Sequence, residues 1–170
     1  MTGADVIAVL NTLERASVPA WLDGGWGVDA LLHRQTRPHD DLDLVIDITR
    51  LGSALRALES LGFSVDDDER PTRVAMHGSD GRAVDLHLVS FTADGDGIQA
   101  LQDSATFCYH AAGFRGIGRI DGQDVSCLDV DVQVECHLGY EPDADDVADM
   151  QALAAKFKFA LPAPYAPAEP

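Results

Sequence analysis

Residues 41–48, DLDLVIDI, constrain the fold more than any other stretch. Leu42, Leu44, Ile46 and Ile48 fall on one side of an extended chain, and Asp41, Asp43, Val45 and Asp47 fall on the other. That period of two belongs to a strand whose apolar side needs a core. The acidic side is harder to explain. Asp41 and Asp43 project from one face with Cα atoms roughly 6.6 to 7 Å apart, and Asp40 adds a charge at the strand's start. Metal ions, a cationic partner or exposure to water must offset the repulsion.

The segments around this strand carry both periodicities. Residues 4–16 put Val6, Val9, Leu10 and Leu13 on one helical face, and the pattern stops before Pro19. VPAWLDGGWGVDALLHR reads as a short strand, a Gly-Gly turn and a helix with Val28, Leu31 and Leu32 as its apolar face. Thr49 is the expected N-cap of a helix that turns Leu51, Ala54, Leu55, Leu58 and Leu61 inward and stops at Gly62. Residues 72–77 and 82–91 are strand-like around GSDG, and FRGIGRI and QDVSCL form a second hairpin around Asp121 and Gly122. Residues 94–113 lack a period and are expected to be loop, with at most a helical turn. Residues 128–138, LDVDVQVECHL, alternate and read as a strand on propensity. EPDADDVADMQALAAKFKFAL is a helix with Asp143 as cap, acids in its first turn and Val147, Met150, Ala154 and Phe157 along one stripe. The proline-rich PAPYAPAEP is expected to trail free.

At 170 residues and 46% hydrophobic content, the chain suffices for one domain with a proper core. Charges interrupt every apolar run well short of the roughly 20 residues that cross a bilayer, and the N-terminal stretch lacks the basic region of a signal peptide. A cytoplasmic protein without a membrane partner is expected. With 29 acids against 12 bases the net charge is −17, which excludes a nucleic-acid backbone as the main partner. The same field draws in cationic small molecules, although solubility alone also accounts for an acidic surface. Cys108, Cys127 and Cys136 form no CxxC pair and read as buried, reduced thiols. The six histidines are scattered, so no structural zinc site is expected.

The chemistry concentrates in one ordered set: a strand, DGGWG, a helix, a loop of about a dozen residues, then the strand bearing Asp41 and Asp43. Gly24 and Gly25 let backbone N–H groups approach an anion, and the helix they open points its positive end at the same place, which suits a phosphate. Two aspartates at strand spacing can flank two divalent ions, which in two-metal sites lie about 3.5 to 4 Å apart. A third acid should come from a neighbouring strand. Asp85, within RAVDLHLVSF, is the candidate, with His87 on its own face. Each element alone is weak, since Gly-Gly before a helix is mostly a turn and Asp-x-Asp mostly a solvated strand face.

The order GG-x(15)-D-x-D followed by a later strand acid resembles the nucleotidyltransferase superfamily with a polymerase-beta type palm. More narrowly, WLDGGWGVDALLHRQTRPHDDLDLV resembles the lincosamide nucleotidyltransferases and aminoglycoside 2''-adenylyltransferases, and the likeness continues through VDLHLV and GYEPDADDVADMQAL. It implies an α+β fold, a mixed twisted β-sheet core flanked by helices with a small C-terminal hairpin and helical element. On that pattern residues 1–110 form the nucleotidyltransferase core, 111–162 complete the same domain and 163–170 are a proline-rich tail. It also reassigns residues 128–138 as helix, ended by Gly139 and Tyr140. By residue, it implies that Asp41, Asp43 and Asp85 hold two Mg²⁺ ions, with Asp85 also a candidate base. Gly24 and Gly25 would hold a nucleoside triphosphate, ATP being the expected one. Arg37 and His39 would touch phosphate or brace the loop, and Trp26 either stacks at the nucleotide or packs as structure, whereas Trp21 reads as a core anchor. Asp29 is expected to bond the aspartate loop or Arg37, and Asp40 to stay at the surface. His87 and Tyr140 are candidates for contact with the acceptor, as are the acids of residues 141–149, which helix capping also explains. The expected activity is Mg²⁺-dependent transfer of a nucleoside monophosphate to a hydroxyl of a small cationic acceptor, with release of pyrophosphate. A protein acceptor and a silent ligand-binding relative are the alternatives, and a homodimer is one way for so short a chain to close the acceptor site.

Overall fold

The acidic strand lies at the centre of a mixed nine-stranded sheet. In this computed structural model, which describes residues 1–102 and 104–166, the chain runs α1 (Gly3–Arg15), β1 (Ala20–Leu22), α2 (Gly24–Leu32), β2 (Asp43–Asp47), α3 (Leu51–Glu59), β3 (Phe63–Glu69), β4 (Arg73–Gly78), β5 (Ala83–Phe91), β6 (Gly97–Ala100), β7 (Thr106–Tyr109), β8 (Gly116–Ile120), β9 (Gln123–Cys127), α4 (Val130–Cys136) and α5 (Ala144–Phe157). The strand order is β3-β4-β5-β2-β1-β9-β8, with β6 joined to the far end of β5 and β7 to β6. β2–β5 and β1–β9 are parallel and the remaining pairs antiparallel. Hairpin β8–β9 therefore extends the same sheet. Among the described residues no helix is long and apolar enough to cross a membrane.

Both faces of β2 are covered, which is why Val45 departs from the acidic side it shares in sequence. Leu44 and Ile46 join the main core with Val6, Val9 and Leu13 of α1, Leu58 of α3 and Met150 and Leu153 of α5, all fully buried. Val45 packs on the opposite face in a smaller cluster with Val89, Tyr109, Leu128 and Val132, under α4 and the β6–β7 hairpin. Trp21 belongs to this second layer. Its indole N–H donates to the Phe114 carbonyl at 2.8 Å and its ring meets Phe114 edge-on at 4.9 Å, as a core anchor should.

Several expectations change. The strand begins at Asp43, with Asp41 just ahead of it. The cap ahead of α3 is Asp47 rather than Thr49: its Oδ1 accepts the Thr49 N–H at 2.8 Å and opens a short 3-10 turn that leads into the helix. Residues 94–113 hold the β6–β7 hairpin, which periodicity misses because β6 buries Gly97 and Gln99, residues that give no apolar alternation. β3 reads poorly as a strand because Ser64 to Asp68 are all exposed on an edge. Residues 130–136 are helical, since the Asp129 carboxylate accepts the Val132 N–H at 3.0 Å and caps the turn against the strand-like alternation. Gly139, at φ +93°, comes after this helix as expected. The tail does not trail free at its start: Tyr165 is buried and its hydroxyl donates to the His137 carbonyl at 2.6 Å. Residues 167–170, the rest of that expectation, lie outside the described residues.

Candidate active site

Parallel pairing of β2 with β5 sets Asp43 opposite Asp85 and Val45 opposite His87. One ligand atom from each of Asp43, Asp85 and His87 lies within 4.8 Å of the others. Antiparallel β4 then brings in Arg73, opposite His87. Its guanidinium donates to Asp85 Oδ2 at 2.7 Å, Glu69 Oε2 at 2.6 Å and Asp67 Oδ2 at 2.9 Å. Asp85 Oδ1 is buried without a hydrogen-bond partner among the described residues. An unsatisfied buried acceptor costs about 1–3 kcal/mol, more when charged, so this oxygen fits a cation or a proton donor that arrives with the ligands.

His87 is held from both sides. Nε2 lies 3.3 Å from Asp43 Oδ1, and Nδ1 lies 3.3 Å from Gln99 Nε2. Gln99 is itself fixed by donation to the Thr72 carbonyl at 3.1 Å and by the Tyr109 hydroxyl at 2.9 Å. Burial favours the neutral imidazole, but the hydrogen bond to Asp43 and the charges of Asp43, Asp23 and Asp85 prevail and push its pKa up to about 9.

The glycine pair explains how α2 meets this cluster. Asp23 Oδ1 accepts the Gly24 N–H at 2.8 Å and caps the helix. Gly24 has φ +55°, and a Cβ there would overlap Asp43 Oδ2 and stand 3.0 Å from its Cγ. At Gly25 a Cβ would overlap His39 Nδ1 and come within 2.8 Å of the Arg37 guanidinium. The two glycines thus let the aspartate strand and its preceding loop close on the start of α2.

That loop is braced from below. Asp29, fully buried, bonds the aspartate loop as expected: it accepts the Thr36 N–H at 3.0 Å and the Thr36 hydroxyl at 2.6 Å through Oδ1, and bonds His39 Nε2 through Oδ2. Trp26, 2% exposed, packs on His39 with ring centroids 4.7 Å apart. It lies in the core behind the cleft rather than on its wall, because the first turn of α2 turns it inward. Arg37 does not stand free for a phosphate: it donates to Asp149 at 2.9 Å and pairs with Asp145 at 3.2 Å.

These elements enclose a cleft of about 450 Å³. Gly24, Gly25, His39, Asp43 and His87 border one side, and His137, Tyr140 and the start of α5 border the other. Among the described residues eight aspartates line it against one arginine, Arg37. Asp41 keeps solvent access there, outside the three-atom Asp43, Asp85 and His87 group, and partial desolvation of its carboxyl by the cleft walls, followed by the charge of Asp43, raises its pKa. Asp40, expected at the surface away from ligands, is exposed and also borders the cleft. Tyr140 donates to Asp146 Oδ1 at 3.1 Å on the acidic wall.

A family model described as aminoglycoside-2''-adenylyltransferase matches residues 5–153. The chain belongs to the aminoglycoside-2''-adenylyltransferase family. It is an enzyme of the nucleotidyltransferase type, in a group of antibiotic-resistance transferases. A lincosamide resistance protein from Staphylococcus haemolyticus is 27% identical over 153 residues, 90% of this chain and 94% of that one. A 2''-aminoglycoside nucleotidyltransferase from Klebsiella pneumoniae is 38% identical over 60 residues, 35% of this chain and 34% of that one. The crystal structure of the lincosamide antibiotic adenylyltransferase LnuA, lincomycin-bound, superposes with a TM-score of 0.81 at 26% identity and covers 91% of this chain and 98% of its own. ANT(2'')-Ia in complex with adenylyl-2''-tobramycin shares the fold, with a TM-score of 0.74 at 19% identity over 91% of this chain and 88% of its own.

Within this nucleotidyltransferase four residues carry structure at the site that sequence reasoning passed over. Arg73 sits at the start of a strand with no motif of its own, and Gln99 and Tyr109 lie in the segment read as loop. Asp23 was hidden by the glycines after it. Burial raises its carboxyl pKa, with Asp43 adding to the effect. An Asp ahead of Gly-Gly is an N-cap signal, and it alone of the four was legible.

Proposed function

We propose that the enzyme moves AMP from ATP to a hydroxyl of a small cationic antibiotic of the lincosamide or aminoglycoside class, releasing pyrophosphate. The observation that carries this reading is the buried, unpartnered Asp85 Oδ1 in the Asp43, Asp85 and His87 group, next to a cleft that eight aspartates line. A polyanionic triphosphate enters such a cleft only with divalent cations, and carboxylates with phosphate oxygens form the donor set that Mg²⁺ prefers. Asp41 and Asp43 would hold two Mg²⁺ ions, with Asp85 as the third carboxylate beside them. When bound, the ions would neutralise the triphosphate and lower the pKa of the attacking hydroxyl.

The chain's own groups supply the rest. Gly24 and Gly25 receive the triphosphate at the positive end of α2, through the Gly25 N–H while the Gly24 N–H stays on Asp23. Asp85 keeps Oδ2 against Arg73 and takes the acceptor's hydroxyl proton on Oδ1. The acceptor oxygen bonds the α-phosphorus as the bond to the bridging oxygen breaks, and pyrophosphate leaves. Asp40 and the acids from Asp143 to Asp149 attract an ammonium group on the acceptor, with His87 and Tyr140 at hand for its hydroxyls. The relatives named for lincosamides and 2''-aminoglycosides support both the reaction and the acceptor class. Asp43→Asn is expected to abolish transfer while leaving the melting transition in place. Turnover retained in the purified variant would sink the assignment.

A further inference from the structure

Away from the cleft, Asp96, Cys108 and His110 bring a carboxylate oxygen, a thiol sulfur and an imidazole nitrogen within 4.8 Å of one another. Cys108 on β7 and His110 just after it stand two residues apart along an extended segment, the spacing that puts both on one face. Asp96 comes from the turn between β5 and β6. That turn is closed by Thr92, whose hydroxyl accepts the Asp96 N–H at 3.1 Å and whose N–H donates to the Asp96 carbonyl at 2.8 Å. Asp96 Oδ1 accepts the Ala111 N–H at 2.8 Å, which orients the carboxylate toward the hairpin. Asp96 and Cys108 are half-buried and His110 is exposed, so an ion can reach the site from solvent.

We propose that these three side chains form a zinc site, with the fourth position left to water. The donor set is nitrogen, sulfur and oxygen, which suits a borderline-soft divalent ion rather than Mg²⁺. Zn–S of about 2.3 Å and Zn–N of about 2.0 Å at a tetrahedral angle place the two donor atoms roughly 3.5 Å apart. Cys108 Sγ and His110 Nδ1 are 4.0 Å apart, so closure takes about half an ångström of side-chain movement. On binding, the Cys108 S–H bond breaks, the proton leaves to solvent and the thiolate bonds the metal. Without metal the thiol holds its proton, because partial burial and the charges of Asp96 and Glu135 raise its pKa. The site closes the β6–β7 hairpin, the same hairpin that supplies Gln99 to His87.

Titration of the purified, reduced protein with Co²⁺ tests the proposal, because a sulfur-to-cobalt charge-transfer band reports a cysteine ligand. Asp43, Asp85 and His87 contain no sulfur, and Cys136, which borders the cleft, is controlled by Cys136→Ser. The band is expected at one equivalent in the wild type and in Cys136→Ser. It should vanish in Cys108→Ser, weaken at least tenfold in apparent affinity in His110→Ala, and be displaced by one equivalent of Zn²⁺. Both Cys108 and His110 are accessible enough for substitution without loss of fold, which circular dichroism verifies. Absence of the band at stoichiometric cobalt, or a band that survives Cys108→Ser, overturns the site.

Discussion

Gly24→Ala separates the two duties of the glycine at the head of α2. The backbone there has φ +55°, so any L residue meets the left-handed penalty of about 1–2 kcal/mol. The new Cβ would also overlap Asp43 Oδ2 and stand 3.0 Å from Cγ, where carbon pairs rest at about 3.5–4.0 Å. The Asp43 carboxylate must therefore retreat by roughly 0.5–1 Å. A misplacement of about 1 Å at reacting groups costs on the order of a hundredfold in rate. The expected outcome is a melting temperature lowered by about 2–8 °C and a kcat/KM for nucleotide transfer about a hundredfold below wild type. Gly81→Ala is the control: φ is +86° but nothing lies within 4 Å of the added Cβ, so it should lose similar stability and keep its activity. Assays would follow pyrophosphate release at saturating acceptor, with melting measured on the same preparations. Activity within threefold of wild type in Gly24→Ala, or an equal loss in both variants, refutes the reasoning.

Three further outcomes are expected at the site. Arg73→Met leaves Asp85 without its guanidinium partner, and we expect a ten- to hundredfold loss of Mg²⁺ affinity in equilibrium titration; an unchanged affinity would remove Arg73 from the site. Arg37→Met strands Asp149, which is 2% exposed, while Arg37 itself is 26% exposed. The cost is expected near about 3 kcal/mol, the low end for a broken buried pair, or about 6–12 °C of melting temperature, and Arg37→Met with Asp149→Leu should recover most of it. In metal-free protein the His87 pKa stands above its ordinary value, at about 9. The stability from its protonated form is therefore complete below about pH 6.5 and is lost as pH rises through about 9. Melting in EDTA should decline across that window, and His87→Gln should flatten the decline; the same slope in both proteins would contradict it.

Much of the fold was legible because its signals are local. The amphipathic stripe of α1, the Asp143 cap of α5 and the Asp121-Gly122 turn each need only a few neighbouring residues. The β6–β7 hairpin and edge strand β3 were not, since β6 buries Gly97 and Gln99 and β3 is exposed from Ser64 to Asp68, so neither shows an apolar alternation. Residues 128–138 mark the limit of periodicity, where Val-x-Val alternation gives way to a single cap at Asp129. At the site the same division holds. Asp43, Asp85 and His87 were reached from strand period together with the order of the glycine turn, the aspartate strand and a later strand acid, while Arg73 and Gln99 arrive through sheet register that no spacing in the chain reveals. Trp26 misled because residue type says aromatic near a nucleotide, and only helix phase says inward.

Metal-dependent nucleotide transfer to a small antibiotic is tested most directly by mass spectrometry of the acceptor. Purified protein would be incubated with ATP, Mg²⁺ and a panel of lincosamides and aminoglycosides, with Asp43→Asn and EDTA as parallel reactions. At least one drug is expected to gain a single AMP on a hydroxyl, with equimolar pyrophosphate, and both parallel reactions should leave it unmodified. Unmodified drugs throughout, or AMP transfer that persists in Asp43→Asn or in EDTA, would contradict the proposed activity.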